Sequence, residues 1–178
     1  PATTSGATIN RFCASGLQAV ASAAGHVASG FADVAIGAGV ESISMVQPVV
    51  AKTTVPEKRL LKTFPALWMP MIETADILAK RYDVSREDCD AYALECQKRT
   101  AHAQSSGYYE HEIVPMDTIM TVKDKEKGTS EDIKYTVSKD ECNRPSTTLE
   151  SLQGLQPVRG EDDPHATVTA GNASQLSD

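Results

Sequence analysis

The segment from Cys13 to Ser29 constrains the fold most strongly, because CASGLQAVASAAGHVAS is rich in alanine and almost uncharged. Its larger apolar residues recur at helical spacing, while small residues occupy the remaining faces. This pattern predicts a helix that is buried on all sides and ends at Gly30. The small side chains favour closely packed neighbours over a bulky core.

Two short segments beside this helix have the character of strands. Ala7–Asn10 precedes the helix as a strand candidate, and Asp33–Val40 follows it as a nearly continuous apolar run bounded by turn residues. A short link from a helix to such a run predicts a central strand of a βαβ arrangement. The sequence therefore predicts an α/β fold.

Two further helices are predicted in the middle of the chain. Met71–Tyr82 is the first of them. The second begins after Ser85, whose side chain can cap the helix with Asp88 at the capping-box position. It runs to about Ser106 and stops at Gly107.

Composition divides the chain into three parts. Residues 1–43 form a core, residues 44–165 concentrate proline and charge, and residues 166–178 return to small apolar residues. The middle part is predicted to be an insertion folded over the core, with strand candidates at 112–116 and 133–137. The last part predicts a strand, a glycine turn and the start of a helix. Because that helix start is cut short and Pro1 replaces an initiator Met, we expect an incomplete chain.

Charge and cysteine usage limit the partners of the protein. The formal net charge of −7 argues against nucleic acid, whose phosphates require a basic face. No apolar run reaches transmembrane length. The four cysteines have neither zinc-site spacing nor the density of a disulfide scaffold, so we expect no metal and reduced thiols inside a cell. The cytoplasm is the expected compartment, with the mitochondrial or peroxisomal matrix as alternatives.

Cys13 is the sharpest chemical feature. It lies at the first turn of the predicted helix, where unpaired amides and the helix dipole favour a reactive thiolate. The competing interpretation is a buried, unreactive thiol. A nucleophilic cysteine needs a base, and spacing identifies none of the four histidines as one; His26 lies three to four turns further along the same helix.

Several segments resemble the thiolase family in the order that the family has them. INRFCASGLQAV at 9–20 is similar to the segment around the acylated cysteine of thiolases, and TVTAGNAS at 167–174 is similar to a second family segment. GVESISM at 39–45 also fits, as do residues 84–88 and 112–115. The likeness spans the chain, and its first and last motifs are the most specific.

The resemblance implies a thiolase fold of αβαβα layers, of which this chain is the incomplete N-terminal half with an inserted α+β loop domain. It implies an acetyl-CoA C-acyltransferase that forms an acyl-cysteine, either cleaving 3-ketoacyl-CoA or condensing acetyl-CoA. It implies coenzyme A as a substrate, no permanently bound cofactor, and a homodimer or homotetramer. The family's histidine base, oxyanion-hole asparagine and second cysteine belong to its C-terminal half, so we expect residues 1–178 alone to be inactive.

The resemblance also assigns roles to individual residues. Cys13 takes the acyl group. Arg144 and Ser151 match positions near the CoA nucleotide. Met71, Ala170 and Ser174 match positions along the pantetheine arm of CoA. Departures from the family pattern are Pro70 and Ile72 beside Met71, Asp76 in place of the usual Glu, and residues 159–165, which look like an insertion.

Two other classes of function compete with the enzyme. A thiolase-like protein could hold acyl-CoA or lipid without turnover, although the intact motif around Cys13 disfavours this alternative. A purely structural or interaction module is the weakest hypothesis, and its test is whether the complete reading frame ends at Asp178.

Overall fold

A computed structural model describes residues 3–53, 55–160, 163 and 165–175. The chain divides into two compact units, an N-terminal unit over residues 1–54 and a second unit over residues 55–177. The predicted boundaries after residues 43 and 165 stay predictions. Within the described residues, no helix has the length and apolar character needed to cross a membrane.

The N-terminal unit contains α1 (Ser15–Ala28) and α2 (Ile43–Thr53). The predicted helix in the alanine-rich segment is confirmed as α1. Its predicted burial is wrong, because no residue of α1 is buried and Leu17 is 77% exposed. Burial needs neighbouring layers on every face, and in this structure the best-covered residues of α1, such as Ala19 and Ala23, are only half-buried.

The strand predictions at 7–10 and 33–40 are also wrong. Both segments are described, and neither forms a strand. A strand requires a partner for its backbone groups, which apolar composition alone does not supply. Residues 35–37 do run beside α1: a Cβ atom on Gly37 would lie 2.8 Å from Cα of Val20, so only glycine allows this close approach.

The second unit is mainly helical. It contains α3 (Lys58–Thr63), a 3₁₀ helix (Pro65–Trp68), α4 (Met71–Tyr82), α5 (Arg86–Ser105), β1 (Met116–Asp124), β2 (Thr129–Val137) and α6 (Leu149–Gln153). The predicted helices α4 and α5 are confirmed. The Asp88 amide donates to Ser85 Oγ at 3.0 Å, and the Ser85 amide donates to Asp88 Oδ2 at 3.3 Å, which completes the predicted capping box. Gly107, with φ of +75°, follows α5 as predicted.

Strands β1 and β2 form an antiparallel hairpin in which Met116 pairs with Val137 and Asp124 with Thr129. The strand candidate at 133–137 is confirmed inside β2. The candidate at 112–116 is wrong, since β1 begins only at Met116. The amides of residues 112 and 113 both donate to the Tyr109 carbonyl, so these residues continue a turn.

The C-terminal part of the second unit is held by bridges rather than by a sheet. Pro157 and Thr169 form an isolated antiparallel bridge, and the Val168 carbonyl accepts from the Val158 amide at 2.9 Å. The predicted helix start at 172–178 is not helical over 172–175, where a turn ends instead. Its last three residues lie outside the described part of the chain.

Candidate functional site

Cys13 lies in an exposed, tightly built turn just before α1. Phe12 has a φ of +49°, a conformation that is unusual for a bulky residue. The Phe12 amide donates to Asn10 Oδ1 at 2.9 Å, and Ser15 Oγ donates to the Phe12 carbonyl at 2.7 Å. The Arg11 amide in turn donates to Ser15 Oγ at 2.9 Å. These bonds fix the backbone on both sides of the thiol.

The N-terminus of α1 has no capping side chain. The N-cap is Ala14, and the first turn contains no acidic residue. Alanine is among the poorest N-caps because it has no acceptor for the first amides of the helix. The Ser15 amide donates to the Phe12 carbonyl at 3.0 Å, so the amides of Gly16 and Leu17 are the ones left to solvent or to an anionic group near Cys13.

No imidazole accompanies Cys13 within the N-terminal unit. His26 is the single histidine among residues 1–54, and it lies thirteen residues further along. At 1.5 Å per residue this is roughly 20 Å along the helix. His26 is therefore not the base of Cys13, in agreement with the prediction that spacing identifies none.

In the second unit, a buried polar network holds the segment around 167–173. Asp76, on α4, is 2% exposed. Its Oδ1 accepts from the Thr167 amide at 2.9 Å, from Thr167 Oγ1 at 3.2 Å and from the Val168 amide at 3.3 Å. Its Oδ2 lies 3.6 Å from Arg159 Nη1. The carboxylate thus orders the backbone that leads into the turn.

Asn172 shapes the turn itself. Its Oδ1 accepts from the Thr169 amide at 2.8 Å, and its Nδ2 donates to the Thr167 carbonyl at 2.9 Å. Fully buried Thr169 accepts at Oγ1 from the amides of Gly171 and Asn172, both at 3.2 Å. The turn over residues 169–173, hereafter the Asn172 turn, is therefore held mainly by its own side chains.

The Asn172 turn is tied to α5 through an ion pair between the partly exposed Arg86 and the buried Asp90. Asn172 Nδ2 donates to Asp90 Oδ1 at 2.9 Å, and Asp90 is 0% exposed. Asp90 Oδ2 accepts from Arg86 Nε at 2.8 Å. Arg86 Nη2 donates to the carbonyls of Leu152 and Leu155, at 2.8 and 3.0 Å. One pair of side chains thus connects the turn, α5 and the end of α6.

The roles of Arg86 and Asp90 are not predictable from the sequence pattern. The local signal was their i,i+4 spacing on a predicted helix, but that spacing is typical of exposed pairs. The partner of Asp90 lies 82 positions away along the chain. No local pattern indicates a contact of that separation.

Four of the predicted binding residues belong to two neighbouring parts of the second unit. Ala170 and Ser174 are exposed, Ala170 within the Asn172 turn and Ser174 directly after it. Ser151 lies in α6, where its Oγ donates to the Thr148 carbonyl at 2.7 Å. The exposed Arg144 precedes α6, and its amide donates to Gln97 Oε1 at 2.8 Å.

Contacts join these two parts of the second unit. Gln175 Nε2 donates to the Cys142 carbonyl at 3.1 Å, which links the end of the turn to the segment before α6. Gly171 packs against side chains of Leu152 and Leu155, since an added Cβ would lie 2.5 Å from each. The fifth residue, Met71, opens α4 and is 82% exposed. Helix α4 reaches the backbone before the turn through Asp76.

Among the other cysteines, Cys89 on α5 is the one whose surroundings lower its reactivity. Burial, followed by the carboxylates of Asp90 and Asp88, raises the pKa of the Cys89 thiol. That thiol is therefore a poorer nucleophile at neutral pH than an ordinary cysteine. Among the described residues, no group of three or more potential ligands could hold a metal ion.

Comparison with known proteins identifies the family. The thiolase N-terminal domain matches residues 1–178. The 3-ketoacyl-CoA thiolase of Bacillus subtilis is 40% identical over 178 residues, covering all of this chain and 44% of the relative. The dimeric peroxisomal thiolase of Saccharomyces cerevisiae matches with a TM-score of 0.76 at 31% identity, covering 95% of this chain and 40% of that one. Human mitochondrial 3-ketoacyl-CoA thiolase in complex with CoA matches with a TM-score of 0.68 at 35% identity, covering 93% of this chain and 40% of that one.

The chain belongs to the thiolase family, and its fold is the α/β fold of the thiolase N-terminal domain. It spans less than half the length of the relatives that it matches.

Proposed function

We propose that the complete protein is a thiolase that transfers acyl groups between coenzyme A thioesters through a covalent acyl-cysteine at Cys13. The observation that supports this most is the exposed Cys13 in a bonded turn before the uncapped end of α1, within a family segment. A thiol accepts an acyl group while keeping the thioester reactive for the next transfer.

The proposed reaction has two half-reactions. The Cys13 sulfur attacks the keto carbonyl of a 3-ketoacyl-CoA, the bond between C2 and C3 breaks, and the departing acetyl-CoA carbanion takes up a proton. The shortened acyl group then remains on sulfur. The CoA thiol attacks this thioester, releases acyl-CoA and returns Cys13 to its starting state. Run in reverse, the same steps condense acetyl-CoA with an acyl-CoA.

The base and the oxyanion contacts are proposed to come from the part of the family that this chain does not match. The single histidine of the N-terminal unit is remote from Cys13 along α1. The first-turn amides of α1 are the contribution that the described residues make to an anionic group near the thiol.

The second unit is proposed to bind coenzyme A. Arg144 and Ser151 would contact the nucleotide, and Met71, Ala170 and Ser174 the pantetheine arm. The support is that the segments carrying Arg144 and Ser151 contact the Asn172 turn, through the Gln175 bond to the Cys142 carbonyl and the packing of Gly171 against Leu152. The CoA present in the human mitochondrial relative supports the same role. Arginine suits this role because its guanidinium group binds phosphate oxygens in a bidentate manner.

A homodimer is the proposed assembly, because the yeast relative is dimeric, with a homotetramer as the alternative. The cytoplasm is the proposed compartment, and the peroxisomal and mitochondrial matrices, which house two of the relatives, are the alternatives.

Steady-state kinetics of the full-length protein test this function. Initial rates measured against CoA at several acetoacetyl-CoA concentrations should give the parallel double-reciprocal lines of a ping-pong mechanism. Cys13→Ser should lower kcat by about a thousandfold or more, while Cys96→Ser, which alters an exposed thiol on α5, should leave kcat unchanged. Binding of acetoacetyl-CoA without turnover would instead support the non-catalytic alternative.

A further inference from the structure

The ion pair of Arg86 with the buried Asp90 makes more contacts than its position on one helix requires. An ordinary i,i+4 pair stabilises its own helix, as the exposed Glu95 and Arg99 do further along α5. Arg86 and Asp90 instead direct hydrogen bonds away from α5. Asp90 bonds the Asn172 turn, and Arg86 bonds two carbonyls at the end of α6.

The charges of this pair are compensated inside the unit. Asp90 is 0% exposed, and each of its carboxylate oxygens has a donor, Arg86 Nε on one and Asn172 Nδ2 on the other. A buried carboxylate that loses a donor is destabilised strongly, so the pair tolerates little displacement of the turn relative to α5. A purely apolar contact has no directional bonds, so it would allow the turn to slide more easily along α5.

The bond from Asp90 also fixes the orientation of the Asn172 amide. Because the amide nitrogen donates to Asp90, the amide oxygen faces the Thr169 amide. That bond closes the turn that carries Ala170, and Ser174 follows directly. On the other side, Arg86 fixes the end of α6, the helix that carries Ser151.

We propose that Asp90 and Arg86 are positioning residues that set the Asn172 turn against α6, and so determine how tightly the protein holds coenzyme A. This inference rests on the proposed function, because it assigns the CoA contacts to these two parts. Neither residue touches substrate. Each acts by holding exposed binding residues in register.

Asp90→Asn in the full-length protein tests the inference. The variant keeps the size of the side chain but places an amide NH₂ group against either Arg86 or Asn172. We expect KM for CoA to rise about tenfold or more, with kcat within about twofold of the unaltered protein. The matched control is Glu95→Gln, which neutralises the exposed pair on the same helix and should leave both constants unchanged.

A swapped variant separates positioning from simple loss of stability. In Asp90→Asn/Asn172→Asp, residue 90 can accept from Arg86 and donate to residue 172, which restores the bond between α5 and the turn. The restoration is partial, because the Thr167 carbonyl loses the donor that Asn172 Nδ2 supplies and faces a carboxylate oxygen instead. KM for CoA should recover at least partly relative to Asp90→Asn. Arg86→Lys keeps the charge but loses the fork that reaches Asp90 through Nε and the two carbonyls through Nη2. It should give an intermediate KM, and it serves if Asp90→Asn does not fold.

The outcomes are distinct. A folded Asp90→Asn or Arg86→Lys variant with an unchanged KM for CoA, or with a fall in kcat alone, would overturn the inference. Acylation of Cys13 by acetoacetyl-CoA, followed by mass spectrometry in the same preparations, shows whether the proposed function holds. If the unaltered protein is acylated and Asp90→Asn leaves KM for CoA unchanged, only the positioning role fails. If no acylation occurs, the proposed function fails and the inference with it.

Discussion

Where the Asn172 turn meets α6, packing limits the size of the side chain at position 171. Gly171 has no Cβ, and an added one would lie 2.5 Å from Cδ2 of Leu152 and from Cδ1 of Leu155. Leu152 is only 3% exposed and cannot move into solvent without losing its burial. A side chain at position 171 would therefore force the ends of Leu152 and Leu155 to shift.

Gly171→Ala should accordingly lower the free energy of unfolding by about 1–3 kcal/mol, the usual effect of overpacking. Urea unfolding of the full-length protein measures this change. Gly154→Ala is the matched control nearby: its Cβ would meet the Glu150 carbonyl at 3.4 Å, an ordinary contact, and its φ of −74° suits alanine. Equal stability of the two variants would contradict the packing argument.

The cysteines of α5 should differ in reactivity. Burial, and then the carboxylates of Asp90 and Asp88, raises the pKa of Cys89, so less of this thiol is ionised at a given pH. Since only the thiolate reacts, iodoacetamide at pH 8 should label Cys89 more slowly than the exposed Cys96 on the same helix. Raising the pH should increase labelling of Cys89. Peptide mass spectrometry over time gives both rates, and faster labelling of Cys89 would contradict this account.

Among the elements, α5 is the one whose ends are most clearly specified. A complete capping box opens it at Ser85, and Gly107 follows it with φ of +75°. The helix carries Arg86 in its first turn, directly after the cap. Loosening this end should therefore affect the contacts with α6 as well as the helix.

Ser85→Ala should lower the free energy of unfolding by about 1 kcal/mol, because the Asp88 amide loses its acceptor. Ser85→Thr keeps the hydroxyl and serves as the control. Thermal unfolding of the three proteins measures the effect. A Ser85→Ala protein as stable as the threonine variant would show that the capping box contributes nothing.

The elements that were predicted correctly have local signals, and those that were missed do not. Helix α5 was predictable because Ser85, Asp88 and Gly107 mark its ends within the chain itself. Helix α2 was not, because Pro48 lies inside it and proline usually interrupts a helix. The apolar run at 33–40 predicted a strand, but a strand depends on a partner that the run itself does not encode.

The same distinction applies to the candidate site. Cys13 could be found because the reactive residue, its turn and its helix are contiguous. Asn172 belonged to a segment with a family likeness, yet its bond to Asp90 joins residues 82 positions apart. Such a contact follows from the folded backbone and not from spacing.

For the whole molecule, the two units carry different parts of the proposed chemistry. The N-terminal unit holds the acyl-accepting thiol, and the second unit holds the residues proposed to bind coenzyme A. The faces of α1 show exposed apolar side chains at Leu17, Val20 and Val27, which are 77, 55 and 45% exposed. Exposure of that kind is typical of surfaces that pack against further protein.

A polypeptide made of residues 1–178 alone should show no thiolase turnover, because the histidine of its N-terminal unit is remote from Cys13 along α1 and the base is proposed to lie in the part of the family that this chain does not match. Thiolysis of acetoacetyl-CoA, followed by loss of its absorbance, measures this against the full-length protein. Turnover by residues 1–178 that Cys13→Ser abolishes would contradict the prediction.

The most direct test of the central claim is to map the acyl adduct. Full-length protein is mixed with acetoacetyl-CoA, quenched in acid and digested, and its peptides are examined by mass spectrometry beside those of Cys13→Ser. We predict an acetyl group on Cys13 that is absent from the variant and disappears when CoA is added before the quench. A protein that binds acetoacetyl-CoA while Cys13 remains unmodified would contradict the account.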